Sequence, residues 1–150
     1  MFDFAVASDL QRANDTARAI VGERVPVMLD ARWREFYFGE WEGLTWDEII
    51  ERWPEYSQRN PFSVATYQPE GGESFADVRA RVSLALDDLR TAQHRNILVA
   101  THAGPLHAML SVLFPGERDV CFMPASITRV RSTGGATELV SLNETGHLAV

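Results

Sequence analysis

Short apolar runs alternate with longer segments of helical periodicity along this 150-residue chain. Apolar runs at residues 2–7, 25–29 and 97–100 predict strands. The second run belongs at a sheet edge, because Pro26 cannot donate a ladder hydrogen bond. Apolar residues at three- and four-residue spacing predict helices between and after these strands. The alternation is typical of an α/β domain with a mostly parallel sheet.

Polar and turn-forming residues mark where the predicted elements begin and end. Residues 54–72 are rich in Pro and Gly and predict an irregular loop, long enough to form a lid or a pocket rim. Residues 126–131 and 137–142 flank a Gly-Gly pair, which predicts a hairpin. Gly22 and Pro54 predict helix ends. Three pairs have the spacing of a capping box at a helix start: Ser8 with Gln11, Thr45 with Glu48, and Ser74 with Asp77.

The stretch from residue 97 to residue 110 contains the strongest candidate for chemistry. The apolar strand ends at Ala100, and Pro105 fits the first position of the helix that follows. Thr101 and His102 therefore lie between a strand and a helix N-terminus. Ligands bind at that edge of α/β sheets, and free helix N–H groups there attract anions. The alternative is a His that simply caps the strand end.

Two further side chains are candidates for the same edge. With Ser8 as N-cap, Arg12 lies at the end of the first helical turn and leans back toward the strand ends. Glu35 lies among the aromatic residues of segment 32–43, where burial would raise the pKa of its carboxyl group and suit it to general acid catalysis. The alternatives are a solvated helix Arg, and an aromatic core whose carboxylates face water.

The composition narrows the classes of function. Hydrophobic residues make up 45% and charged residues 23% of the chain, as in ordinary globular proteins. A net charge of −7 disfavours nucleic acid and anionic membranes as partners. Cys121 is the single cysteine, which excludes an internal disulfide and a cysteine metal cluster. We therefore expect a cytoplasmic protein.

Five stretches, in this order, resemble the histidine phosphatase superfamily with its phosphoglycerate-mutase-like fold. They are residues 8–17 (SDLQRANDTA), 34–43 (REFYFGEWEG), 71–74 (GGES), 99–105 (VATHAGP) and 142–148 (LNETGHL). The second and fourth stretches are most similar to the α-ribazole phosphatase-like branch. The resemblance implies one domain over residues 1–150, a three-layer α/β fold with a mostly parallel sheet and helices on both faces.

One departure from the family pattern changes these expectations. The superfamily opens on a strand with Arg-His-Gly-Glu, whose His is the nucleophile, and no Arg-His-Gly occurs in this sequence. The resemblance therefore implies an N-terminally truncated domain that lacks the family's first strand and helix. We expect strand 97–101 near the middle of the sheet, with a gap or an exposed apolar groove beside it. Such a chain is expected to aggregate or to form a homodimer across that gap.

Carried over residue by residue, the resemblance implies catalytic roles for Arg12, Glu35 and His102. Arg12 and His102 would hold phosphoryl oxygens, and Ala103 would belong to the same substrate-binding set. Glu35 would protonate the leaving alkoxide and then activate water. The polar groups of Arg12, Glu35 and His102 should converge on one cavity at the carboxyl ends of the strands. No metal or cofactor is implied, and the partner would be a small phosphorylated metabolite.

Three functions are consistent with these residues. The first is a metal-independent phosphomonoester phosphatase of the α-ribazole phosphatase-like kind, which forms a phosphohistidine on a nucleophile outside this chain. The second is a phosphoglycerate-mutase-type phosphotransferase, which must exclude water; the short loop and the phosphatase-like motifs disfavour it. The third is a non-catalytic domain that binds phosphorylated metabolites or a protein. We expect the 150-residue chain to bind phosphate weakly without turning over phosphomonoesters.

Overall fold

The computed structural model describes residues 1–57, 69–116 and 120–149, and its elements follow the predicted α/β alternation. The chain divides into two compact units, Met1–Pro115 and Gly116–Val150. The first unit contains strands β1 (Phe4–Ala7), β2 (Val27–Leu29) and β3 (Ile97–Ala100), and helices α1 (Gln11–Val21), α2 (Trp46–Arg52), α3 (Phe75–Thr91) and α4 (Ala103–Leu113). The second unit contains strands β4 (Ile127–Thr133) and β5 (Ala136–Glu144).

Three parallel strands form the sheet of the first unit, in the order β2, β1, β3. Ala5 of β1 pairs with Val27 on one side and with Leu98 on the other, so the carboxyl ends of all three strands share one edge. The prediction that places strand 97–101 near the middle of the sheet is wrong within the described residues. There the fully buried β1 is central and β3 pairs with β1 alone. The apolar sequence of β3 has another cause: Val99 packs against the core on one face of the sheet, and Leu98 packs against the core on the other face.

Helices cover both faces of the sheet. Val6 packs with Val82 of α3 and Ala108 of α4 on one face. Ala7 packs with Ala17 of α1 on the other face. Because successive side chains of a strand point to opposite faces, neighbouring residues of β1 serve two separate cores. The first unit thus has the three layers that the sequence predicts.

The helix starts agree with two of the three predicted capping boxes. Thr45 and Ser74 cap α2 and α3 in the predicted way. The capping box predicted at Ser8 is wrong, because the N-cap of α1 is Leu10 and makes no side-chain cap bond. The N–H group of Ser8 still donates to the Ala100 carbonyl oxygen at 2.9 Å, as an extension of the strand ladder. Ser8 therefore ends the strand and does not begin the helix.

Helix α4 begins two residues before the position that the sequence predicts. Ala103 is its first residue, so Pro105 lies third in the helix. A proline in the first turn removes an N–H group that would have no partner within the helix, and it is tolerated there. The earlier start places His102 at the N-cap position.

The second unit is built on an antiparallel hairpin of β4 and β5. Gly134 and Gly135 connect the strands, and their φ values of 56° and 84° are those a two-residue type I′ turn requires. The predicted loop at 54–72 begins with a short 3-10 helix at Pro54–Tyr56, and residues 58–68 of it lie outside the described residues. None of the helices described has the length and apolar character of a membrane span.

Candidate active site

The shared carboxyl edge of the sheet brings three segments of the chain together. Ser8 follows β1, segment 30–36 follows β2, and Thr101 follows β3. The Thr101 hydroxyl donates to the carbonyl oxygen of Trp33 at 2.7 Å, which ties the second segment to the third. The sequence-predicted residues Arg12, Glu35, His102 and Ala103 all belong to these segments or to the helices that start from them.

His102 is held at both ring nitrogens. Its Nδ1 atom lies 3.2 Å from Nε of Arg12, and its Nε2 atom lies 2.9 Å from Oγ of Ser8. The residue is only 9% exposed. Burial, together with the positive charges of Arg12 and Arg81, lowers the pKa of His102 to about 4. His102 is therefore a neutral imidazole at pH 7.

Arg12 reaches His102 from the start of α1. It is the second residue of the helix, and its exposed side chain uses Nε for the contact with the imidazole. The bond to His102 leaves the two terminal nitrogens of the guanidinium group for other acceptors. A guanidinium fork of this kind suits the oxygens of a phosphoryl group.

Glu35 is fixed to the first turn of α4. Its Oε1 atom accepts the N–H groups of Phe36 and Gly104, each at 3.0 Å. Burial raises the pKa of the Glu35 carboxyl group, against the lowering effect of these two N–H groups and of the Arg12 and Arg81 charges. A Cβ atom at position 104 would collide with the Phe36 ring and with Glu35 Oε1, so this position requires glycine.

Arg81 of α3 holds the segment that contains Glu35. Its guanidinium group donates to the carbonyl oxygens of Arg32 and Arg34 at 2.7 Å and of Glu35 at 3.2 Å. It also forms an ion pair with Glu73 at 2.8 Å. One half-buried cation thus sets the backbone path over residues 32–35.

A second ion pair lies on the outside of the same edge. Arg34 and Asp9 form two parallel hydrogen bonds of 2.6 Å. The Arg34 guanidinium lowers the pKa of the Asp9 carboxyl group. This pair connects the segment after β2 to the residue that follows Ser8.

The structure brings Arg12 into contact with His102. It also holds the Glu35 carboxyl group at the N–H group of Gly104, two residues after His102. Ala103 is the first residue of α4, so its N–H group has no acceptor in the helical ladder. The catalytic roles given to these residues stay predictions. Among the described residues, no three His, Cys, Asp or Glu side chains are grouped to hold a metal ion.

Sequence reasoning missed two residues of this site. The spacing of Ser8 predicts a helix cap, whereas its position directly after a buried strand is the signal that places it at the edge. Arg81 has the pattern of an ordinary helix residue, and the carbonyl oxygens that it binds lie 46 to 49 positions earlier in the chain. Neither spacing nor composition indicates such a contact.

The comparisons with known proteins establish the family. The family model of the histidine phosphatase superfamily (branch 1) matches residues 1–145, and the chain belongs to this superfamily. Its α/β fold is the phosphoglycerate-mutase-like fold of the related solved structures. The resemblance noted in the sequence is thereby confirmed.

The relatives of this chain include named phosphatases. The chain is 34% identical over 150 residues to "Bifunctional protein Rv2228c" of Mycobacterium tuberculosis, which covers 95% of this chain and 41% of that protein. It is 34% identical over 116 residues to the adenosylcobalamin/alpha-ribazole phosphatase of Escherichia coli, which covers 75% of this chain and 56% of that enzyme. The chain therefore spans about two fifths to somewhat over half of these relatives' lengths.

A solved structure of a mycobacterial glucosyl-3-phosphoglycerate phosphatase, Rv2419c, in complex with inorganic phosphate has the same fold. Its TM-score is 0.82 at 28% sequence identity, over 95% of this chain and 77% of that one. Phosphatase is thus the activity named for several relatives of this chain.

Proposed function

We propose that this chain forms the phosphoryl-binding and proton-donating part of a metal-independent phosphomonoester phosphatase. The observation that carries the proposal is the arrangement of Arg12, His102 and Glu35 around the start of α4. Arg12 contacts His102 at 3.2 Å, and Glu35 accepts the Gly104 N–H group at 3.0 Å. Family membership and the phosphatases among the relatives support the same class of reaction.

The phosphoryl group is held by the Arg12 guanidinium group, by helix N–H groups and by His102 in this proposal. The terminal nitrogens of Arg12 grip two phosphoryl oxygens, and the N–H group of Ala103 donates to a third. His102, at the N-cap of the same helix, becomes the other member of this cage when the bound anion raises its pKa and Nδ1 takes up a proton. Such preorganised donors stabilise the charge that spreads over the equatorial oxygens during transfer.

Glu35 supplies the proton. Both hydrogen bonds to its carboxyl group end on Oε1, so the proton is placed on Oε2. The raised pKa favours the protonated form that a general acid needs. When the phosphorus–oxygen bond of the ester breaks, this proton goes to the leaving alkoxide, and the resulting carboxylate later takes a proton from water.

The attacking group completes the scheme. A histidine nitrogen attacks phosphorus in line with the leaving alkoxide, and the phosphohistidine is then hydrolysed by the water that Glu35 activates, which releases phosphate and the free histidine. His102 lies beside the transferring group in this scheme, and the Arg-His-Gly motif of the family's nucleophile does not occur in residues 1–150, so the scheme takes the attacking histidine from outside these residues. The substrate class is a small phosphorylated metabolite of the kind named for the relatives.

Two chains of different length test the proposal. The 150-residue chain and a longer chain that supplies an upstream Arg-His-Gly-Glu segment are each assayed with p-nitrophenyl phosphate. We expect turnover by the longer chain alone, and loss of at least about 100-fold on Glu35→Gln or His102→Ala, as for other positioned acids and cage groups.

Two results would overturn this assignment. Robust turnover by the 150-residue chain, abolished by His102→Ala, would make His102 the nucleophile. Absence of turnover by the longer chain, with phosphate binding intact, would support a non-catalytic binding domain.

A further inference from the structure

Ser8 has a contact that the proposed function does not use. Its side chain is fully buried at the end of β1. Its Oγ atom lies 2.9 Å from Nε2 of His102 and accepts the N–H group of Leu10 at 3.2 Å. The helix cap that the sequence predicts for this serine is not formed, so the hydroxyl serves the imidazole and the first turn after the strand.

The donors around His102 determine which ring nitrogen bears the proton. The guanidinium of Arg12 is always protonated, so its Nε–H group can only donate and Nδ1 of His102 must accept. A neutral imidazole has one protonated nitrogen, which is then Nε2. Nε2–H donates to Ser8 Oγ, whose two lone pairs are taken by this bond and by the bond from Leu10.

We propose that Ser8 is a positioning residue that holds His102 as the Nε2–H tautomer and keeps the Nδ1 lone pair facing Arg12. The hydroxyl group can do this because it is the acceptor within reach of Nε2 in a buried setting. An N–H group without an acceptor in such a setting is costly, so loss of the hydroxyl removes one of the two interactions that favour this tautomer; the other is the Arg12 Nε–H group at Nδ1.

The charged groups around the ring support the same state. Arg12 on α1 and Arg81 on α3 are positive, and both disfavour an imidazolium at this place. Glu35, after β2, is the titratable group on the remaining side of α4's first turn, and its burial favours the neutral acid. The ring contacts that select the tautomer are therefore the Arg12 Nε–H group at Nδ1 and the Ser8 hydroxyl group at Nε2.

Nitrogen NMR of the histidine rings tests the proposal directly. The chain is labelled with ¹⁵N-histidine, and the His102 signals are assigned by their loss in His102→Asn. At pH 7 we expect a protonated Nε2 and a bare Nδ1. Ser8→Ala should bring the two nitrogen shifts toward each other, as the ring populates both tautomers. Ser8→Thr, which keeps the hydroxyl group, should restore the original pattern.

Matched variants separate positioning from a purely structural role. Ser111 also has a partly buried hydroxyl group, but it donates to the Ala108 carbonyl within α4. Ser111→Ala should leave the His102 pattern unchanged. If Ser8→Ala does not fold, Ser8→Cys, a weak acceptor of similar size, is measured in its place.

The proposal is overturned by a bare Nε2 or an imidazolium in the unmodified chain at pH 7. It is also overturned if Ser8→Ala, or Ser8→Cys in its place, retains the unmodified pattern. Because the measurement needs no turnover and no bound phosphate, its failure is distinct from failure of the proposed phosphatase function.

Discussion

At the scale of single residues, the neutral state of His102 has a consequence for anion binding. The ring has its lone pair at Nδ1, the nitrogen that faces Arg12. An anion bound to the terminal nitrogens of Arg12 lies beside the ring and favours an imidazolium, whose second proton then takes the place of the Arg12 Nε–H group at Nδ1. Anion binding and proton uptake by His102 are therefore expected to be linked.

Sulfate is a suitable probe of this linkage, because its charge stays constant over the pH range of interest. The pKa of His102 is about 4 without a ligand, and a bound dianion should raise it. Sulfate affinity should therefore increase as the pH falls from 8 toward 4, by up to about tenfold per pH unit. Calorimetric titration measures this slope.

Two variants test whether His102 is the group that takes up a proton when sulfate binds. In His102→Asn the affinity should depend much less on pH. Glu35→Gln should keep most of the pH dependence of sulfate affinity, because His102 and not Glu35 supplies most of the proton uptake. A pH-independent sulfate affinity in the unmodified chain would contradict the linkage.

The Arg81 charge acts on the carboxyl groups of both Glu35 and Glu73, whose contributions to stability should respond oppositely to pH. Burial raises the pKa of Glu35, whereas the Arg81 ion pair lowers that of Glu73. Between its unfolded and raised folded pKa, Glu35 binds its proton only in the folded chain, so its contribution to stability falls as pH rises. Glu73 has a folded pKa below its unfolded value, so its contribution is present above the unfolded pKa and is lost on acidification.

Urea unfolding of Glu35→Gln and Glu73→Gln at pH 7 and pH 4 measures both effects. At pH 7, Glu73→Gln should lower the free energy of unfolding by about 1–3 kcal/mol, because it breaks a charged hydrogen-bonded pair. Glu35→Gln should not lower it. At pH 4 the cost of Glu73→Gln should shrink, and the unmodified chain should gain stability relative to Glu35→Gln. The same pH trend for both variants would contradict the assigned shifts.

At the scale of elements, the sequence predicts what depends on local patterns. Ser74 and Thr45 begin their helices as predicted because a capping box is set by residues three apart. The Ser8 box has the same spacing, yet a hydrogen bond to Ala100, 92 positions along the chain, keeps that residue in the sheet. Local patterns therefore fail where a long-range backbone contact competes for the same residue.

The residues of the site follow the same rule: those set by local patterns could be predicted, and those set by long-range contacts could not. His102 and Arg12 could be placed because each lies near the end of a strand whose direction the α/β pattern fixes. The loop that contains Glu35 has no period, so its path could not be predicted. That path is set by Arg81, a cation from another helix.

We therefore expect Arg81 to hold segment 32–35, and with it Glu35, in place against helix α3. Arg81→Lys keeps the charge, but one ammonium group cannot reach three carbonyl oxygens and both Glu73 oxygens. We expect a loss of about 2–4 kcal/mol in the free energy of unfolding, with loosening of segment 32–35. Denaturant unfolding and amide exchange measure the two effects. Arg79→Lys, an exposed position on the same helix, is the control and should change neither.

At the scale of the whole molecule, the free edge of the sheet is the feature with the largest consequence. Within the described residues, β3 pairs with β1 on one side only. The carbonyl oxygens of Asn96 and Ala100 accept bonds from the β1 side. Because backbone groups of alternate residues point to the same side, the N–H and C=O groups of Ile97 and Val99 face outward. An edge of this kind is a template for another strand.

We therefore predict that this chain associates through β3 as its concentration rises. Burying the outward backbone groups against a second copy satisfies donors and acceptors that otherwise depend on water. Sedimentation should show a dimer or larger species at high concentration. Amide exchange should slow at Ile97 and Val99 in that species, whereas the fully buried Val6 in the central strand is protected throughout. A monomer that melts cooperatively at every concentration would contradict the prediction, and protection confined to β4 or β5 would locate the association on the hairpin instead.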